Sequence, residues 1–87
     1  MVILVKIKGK PGYLRQTLHE WTLCVKEILE NELGEPIEIM VEDAENELPS
    51  LIINDTYVGS GLPGEEGYLI EIIKYTVKSL RYKQRNS

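Results

Sequence analysis

Leu51-Ile52-Ile53-Asn54-Asp55-Thr56-Tyr57-Val58 reads as two short strands closed by a tight turn. An apolar run, then Asn-Asp, then Tyr-Val is the composition of a β-hairpin, since Asn and Asp tolerate the left-handed backbone of a two-residue turn. Upstream, Ile37, Ile39 and Val41 alternate with Glu38, Met40 and Glu42, the two-residue period of a half-exposed strand at a sheet edge. Residues 43–47 are polar and form a connection too short for a packed helix.

Farther toward the N-terminus, Leu14, Leu18, Trp21, Val25, Ile28, Leu29 and Leu33 recur at three- and four-residue steps. They give one stripe on a long helix over residues 13–33, which Gly34 ends, with Pro36 just beyond. Val2 to Ile7 is a nearly unbroken β-branched and apolar run, the pattern of a strand covered on both faces, and Gly9-Lys10-Pro11-Gly12 follows as a turn. Beyond the hairpin, residues 59–64 read as a loop. Leu69, Ile72, Ile73, Thr76 and Leu80 form the inward stripe of a closing helix that starts near Glu65 or Glu66.

The element order is therefore β-α-β-β-α, an α/β fold. A right-handed crossover sets the second strand parallel to the first, and the hairpin must then lie on the far side of the first strand. The predicted architecture is a four-stranded mixed sheet of order 2-1-3-4 packed against two helices. The step from strand two past strand one to strand three spans roughly 10 Å, which an extended connection over residues 43–49 reaches.

Eighty-seven residues make one domain, taken as residues 1–82, with residues 83–87 as a polar basic C-terminal tail. The hydrophobic fraction of 43% and charged fraction of 28% are those of a soluble globular chain, and no apolar run is long enough to cross a bilayer. Lys6 and Lys8 follow the apolar N-terminal stretch rather than precede it, the wrong order for a secretory signal, so a cytoplasmic location is the expectation. Cys24 is the only cysteine, which excludes an internal disulfide and a multi-thiolate metal site. A net charge of −4 argues against a general nucleic-acid binder. Nine acidic residues and no basic one lie between Glu27 and Glu47, whereas the basic residues gather toward both ends, which predicts an electrically two-faced molecule. Few Gln and abundant Ile, Glu and Lys point to a thermophile.

This order, with Leu48-Pro49-Ser50 leading into Leu51-Ile52-Ile53-Asn54 and then Tyr57-Val58-Gly59, resembles the second half of glutaredoxins and small archaeal thioredoxin-like proteins. The helix that many members carry between strands two and three is missing. The resemblance implies a cis peptide at Leu48–Pro49, facing the loop after strand one. It also implies a site surface made of Lys10, Pro11, Gly12 and Tyr13 together with Pro49, Ser60 and Gly61, which in that superfamily binds extended peptides or thiol ligands. Redox-active members carry a cysteine at the start of the first helix, where the helix dipole favours a thiolate. Lys10-Pro11-Gly12-Tyr13 carries no sulfur. Cys24 lies eleven residues beyond Tyr13, roughly 16 Å along a helix, and is read as a semi-buried structural cysteine.

Gly59-Ser60-Gly61-Leu62-Pro63-Gly64 fits Gly-X-Gly-X-X-Gly, but the chain ends before a second parallel strand could supply a ribose-binding acid, and Glu65 and Glu66 occupy the helix end that a pyrophosphate would need. Gly9-Lys10-Pro11-Gly12 matches a Gly-X-X-Gly phosphate clamp, yet that clamp joins two helices and a strand precedes it here. His19 has no Ser, Cys or Asp at partner spacing. No cofactor, metal or catalytic constellation is expected. Leu23, Ile70 and Val77 stand beyond the inward helix stripes and are read as interface residues of a homodimer formed through the C-terminal helix. The leading expectation is a non-catalytic protein-interaction module on a redox-inactive thioredoxin-like scaffold. A glutathione or small-thiol binding protein is the alternative, and a single-stranded nucleic-acid binder using the basic end is the third.

Overall fold

The computed structural model describes residues 2–85. It contains β1 (Ile3–Gly9), α1 (Tyr13–Leu33), β2 (Ile37–Asp43), β3 (Ser50–Ile53), β4 (Thr56–Ser60) and α2 (Glu66–Arg85). The sheet order is β2-β1-β3-β4, with β1 parallel to β2 and both other pairings antiparallel. The α/β class, the strand order and the two helices are those the hydrophobic patterning predicts.

Paired residues in neighbouring strands share a face of the sheet. Val5 stands opposite Ile39 and Ile53, and Ile7 opposite Val41 and Leu51, so the apolar side chains of three strands gather on one side. Leu18, Val25, Leu29 and Leu33 of α1 and Leu69, Ile73 and Val77 of α2 join them in a single core. Both helices therefore cover the same face. The expectation that β1 is covered on both faces is corrected: its buried residues are Ile3, Val5, Ile7 and Gly9, while Leu4 and Lys6 are half-buried and Lys8 is exposed. With no helix between β2 and β3, nothing among the described residues covers the second face, where Lys6 pairs with Glu42 at 3.4 Å.

The joints between elements follow from local chemistry. Gly34 takes a left-handed φ of 71° and returns its N–H to Glu30 O, ending α1. The Glu30 carboxylate accepts from Ile37 N at 2.8 Å, which sets the start of β2. Arg81 donates to Leu33 O at 2.8 Å and Lys74 pairs with Glu32 at 3.3 Å, tying α2 to the end of α1. Asn54 and Asp55 form the hairpin turn with φ values of 47° and 68°, and Asn54 Oδ1 accepts from Leu4 N at 2.8 Å.

Other expectations are corrected by the same packing. Val77 is fully buried and Ile70 packs partly buried against the core, so neither is surplus surface. A helix wedged between a sheet and a second helix buries a wider arc than one packed on a single neighbour. Ile28 is exposed, and Cys24 is exposed rather than semi-buried. Both sit well off the line through Leu18, Val25 and Leu29, Cys24 by roughly 120° at 100° per residue. Buried Thr22 takes a core position instead, its hydroxyl donating to Leu18 O at 2.7 Å. Gly59 and Ser60 belong to β4 rather than to a loop, and α2 runs on through Lys83 to Arg85, so the basic tail is helical that far; residues 86 and 87, like Met1, lie outside the described residues.

The separation of charge along the chain is undone by folding. Four of the nine acids in the acidic stretch meet cations from the two basic ends: Lys6 with Glu42, Arg15 with Asp43, Lys74 with Glu32 and Arg81 with Glu35. The expected two-faced molecule is a charge-mixed one.

Candidate binding groove

The segments of the expected site surface do come together. Pro49 is buried between Gly9 and Gly61: a Cβ built on Gly9 would stand 2.9 Å from Pro49 Cα, and Gly61 N donates to Pro49 O at 2.9 Å. Lys10 N donates to Asn46 O at 2.9 Å, joining the first loop to the same cluster. The Leu48–Pro49 peptide is trans, correcting the cis expectation. Trans is the default for an X-Pro bond, and here the carbonyls on both sides of the ring are satisfied in that geometry. Leu48 O accepts from Asn46 Nδ2 at 2.6 Å, and Pro49 O accepts from Gly61 N.

Those bonds leave little for a ligand. Asn46 Nδ2 also donates to Lys8 O at 3.1 Å and lies 3.4 Å from Ser50 Oγ. Ser60 Oγ is 2.6 Å from the Tyr57 hydroxyl. Arg15 donates to Gly9 O at 3.2 Å and pairs with Asp43, so it is held beside the loop rather than extended. Lys10, Pro11, Gly12 and Tyr13 are exposed and border a hollow of about 230 Å3 that neither Pro49 nor Ser60 lines. The surface expected from the resemblance is thus a structural joint with an exposed loop beside it.

A larger concavity lies elsewhere. Between β4 and α2 runs a groove of about 780 Å3, with Val58 and Leu62 on the strand side and Ile72, Tyr75, Thr76 and Leu80 on the helix side. It extends to Ser60 and Gly61, the two residues of the expected surface that border it. β4 is the last strand of the sheet and its outer edge pairs with no strand among the described residues. The strand reads Thr-Tyr-Val-Gly-Ser and carries neither a charge nor a proline.

The groove owes its shape to an irregularity in the hairpin. Leu51 pairs with Gly59 and Ile52 with Tyr57, so Val58 is an extra residue on β4. Such a bulge twists and bends the strand that carries it. Tyr57 keeps to the open sheet face with Ile52, Ser50 and Ser60, whereas Val58 joins the groove wall. Hydrophobic periodicity could not reveal this groove, because Tyr75 and Thr76 read as outer and inner positions of one helix. A visible signal did exist in the spacing of Tyr68, Tyr75 and Tyr82, seven residues apart and all exposed.

Together the fold and groove define a two-layer α/β domain with one open sheet face and an unpaired, uncharged edge strand beside an apolar channel. Compared with known proteins, the chain matches no family model, and neither curated proteins nor solved structures give a match.

Proposed function

We propose that this chain is a non-catalytic protein-interaction module that binds through the groove between β4 and α2. The observation that carries the reading is the pairing of two features on one edge. A free strand edge supplies directional main-chain hydrogen bonds to an incoming strand, and an apolar channel alongside takes its side chains. That combination suits an extended polypeptide better than a compact polar metabolite.

A thioredoxin-like scaffold is supported by the sheet order and by the gathering of Gly9, Pro49 and Gly61. The lack of thiol chemistry is supported by Lys10 to Tyr13, which hold no sulfur, and by Cys24, exposed on α1 away from that loop. Binding of glutathione or a small thiol at Pro49 has less support, because the polar atoms around that ring already pair within the chain.

The reading is tested by selecting displayed random peptides against the protein and following the backbone amides of Val58, Gly59, Leu62 and Thr76 by NMR, in dilute and in concentrated protein. Shifts confined to these residues, with no turnover of a small disulfide, are expected. Amides that respond to neither peptide nor protein concentration, or catalytic disulfide reduction, overturn it.

A further inference from the structure

We propose that the occupant of the groove is a second copy of this chain, joined by antiparallel pairing of β4 with β4; this rests on the interaction-module reading above. The two edges of the sheet are unlike. β2 carries Glu38, Glu42 and Asp43 along its length, the charged guard that keeps edge strands from pairing. β4 has no such guard. A strand that pairs antiparallel with its own copy lies on a two-fold axis, so each contact it makes occurs twice.

The axis has a consequence for α2. Val58, the middle residue of β4, shares the groove with Tyr75, near the middle of α2. A two-fold through β4 therefore runs α2 of the second copy antiparallel to the first, with their middles level. Glu71 and Lys78 are seven residues apart on the same side of α2, both are exposed, and neither belongs to an ion pair among the described residues. About a centre between Lys74 and Tyr75, an antiparallel copy brings Glu71 opposite Lys78 and Lys78 opposite Glu71. The helix surface is complementary to itself in charge.

The spacing fits these side chains. Among the strands, α2 packs closest on β3. From β3 across two copies of β4 to the second β3 is three strand spacings, roughly 14 Å. Directly packed helices stand about 8–10 Å apart, so the gap calls for long side chains. Tyr75, 75% exposed, supplies one from each copy, and a Glu–Lys pair spans such a gap. The two open grooves then become one enclosed apolar cavity beneath a continuous eight-stranded sheet.

Sedimentation equilibrium of the full chain, up to about 500 μM, tests the proposal. A monomer–dimer equilibrium is expected for the unaltered protein. Glu71→Lys and Lys78→Glu each place like charges face to face twice and should weaken the dimer about 5- to 20-fold. The double variant E71K/K78E should recover affinity to within about 3-fold. Tyr57→Lys, which puts a charge on the β4 edge, should weaken it as well. Circular dichroism checks that each variant is folded. A protein that is monomeric throughout overturns the inference, and so does a dimer indifferent to the charge exchange or to Tyr57→Lys. If the monomeric protein still binds selected peptides at Val58 and Thr76, only the second-copy occupant fails. If it binds none, the module reading fails with it.

Discussion

Gly9 and Pro49 approach so closely that a side chain on the glycine has nowhere to go. A Cβ at Gly9 would fall 2.9 Å from Pro49 Cα, a backbone atom that cannot swing aside. Gly9 is not a conformational glycine here; its role is clearance between the end of β1 and the start of β3. Gly9→Ala should therefore force the two segments apart and cost about 1–3 kcal/mol. Urea unfolding measures this. Gly67→Ala provides the opposite sign, because that glycine lies in the first turn of α2 with nothing within 4 Å of an added Cβ. Removing glycine's backbone freedom there should stabilise by up to about 1 kcal/mol.

Asn46 holds the connection between β2 and β3 in place of the absent helix. Its amide nitrogen reaches Lys8 O, Leu48 O and Ser50 Oγ, while its carbonyl O accepts from Lys10 N. Asn46→Ala should cost about 1 kcal/mol, the net worth of a typical hydrogen bond, with partial recovery from water because the site is exposed. Asn46→Asp should cost at least as much. A carboxylate has no proton to give and would face two carbonyl oxygens. Chemical denaturation of the two variants, with Asn31→Ala in exposed α1 as a reference, checks the order.

The hairpin turn separates two residues that look alike. Asn54 and Asp55 both have positive φ, but only Asn54 has a second task, accepting from Leu4 N through its side chain. Asp55→Gly should relieve left-handed strain and raise stability by about 0.5–1 kcal/mol. Asn54→Gly should relieve the same strain yet lose the bond to β1, giving no gain or a net loss. Opposite shifts in thermal midpoint are the expected readout.

The strand order, the parallel β1–β2 pair and the span of α1 were legible because each rests on a short-range rule. Periodicity places Leu18, Val25 and Leu29 on one line, Gly34 ends that line, and a right-handed crossover leaves the hairpin a single side to occupy. What could not be read depends on which side each layer takes. Leu4 and Lys6 look alike in flanking a β-branched run whether or not a second helix layer exists, so the open face of β1 escaped. The groove escaped for a related reason: the extra residue at Val58 is invisible until Leu51 and Ile52 are seen to pair with Gly59 and Tyr57. Of the expected site residues, Gly61 and Pro49 meet, but as mutual structural partners.

Val77 and Leu23 separate packing from interface. Both read as surplus apolar residues, yet Val77 is fully buried and Leu23 is 51% exposed. Val77→Ala removes two methyl groups from a filled core and should cost about 1.5–3 kcal/mol. Leu23→Ala leaves no buried cavity and should stay within about 0.5 kcal/mol. Protein concentration gives the sharper distinction. Destabilisation from a core cavity acts within each folded chain, so the thermal midpoint of Val77→Ala should stay displaced from that of the unaltered protein by the same amount at every concentration. An interface role would instead make the displacement grow as the protein is concentrated and the unaltered chain gains stability from association. Differential scanning calorimetry at several concentrations decides it, and a displacement that widens with concentration would return Val77 to the interface.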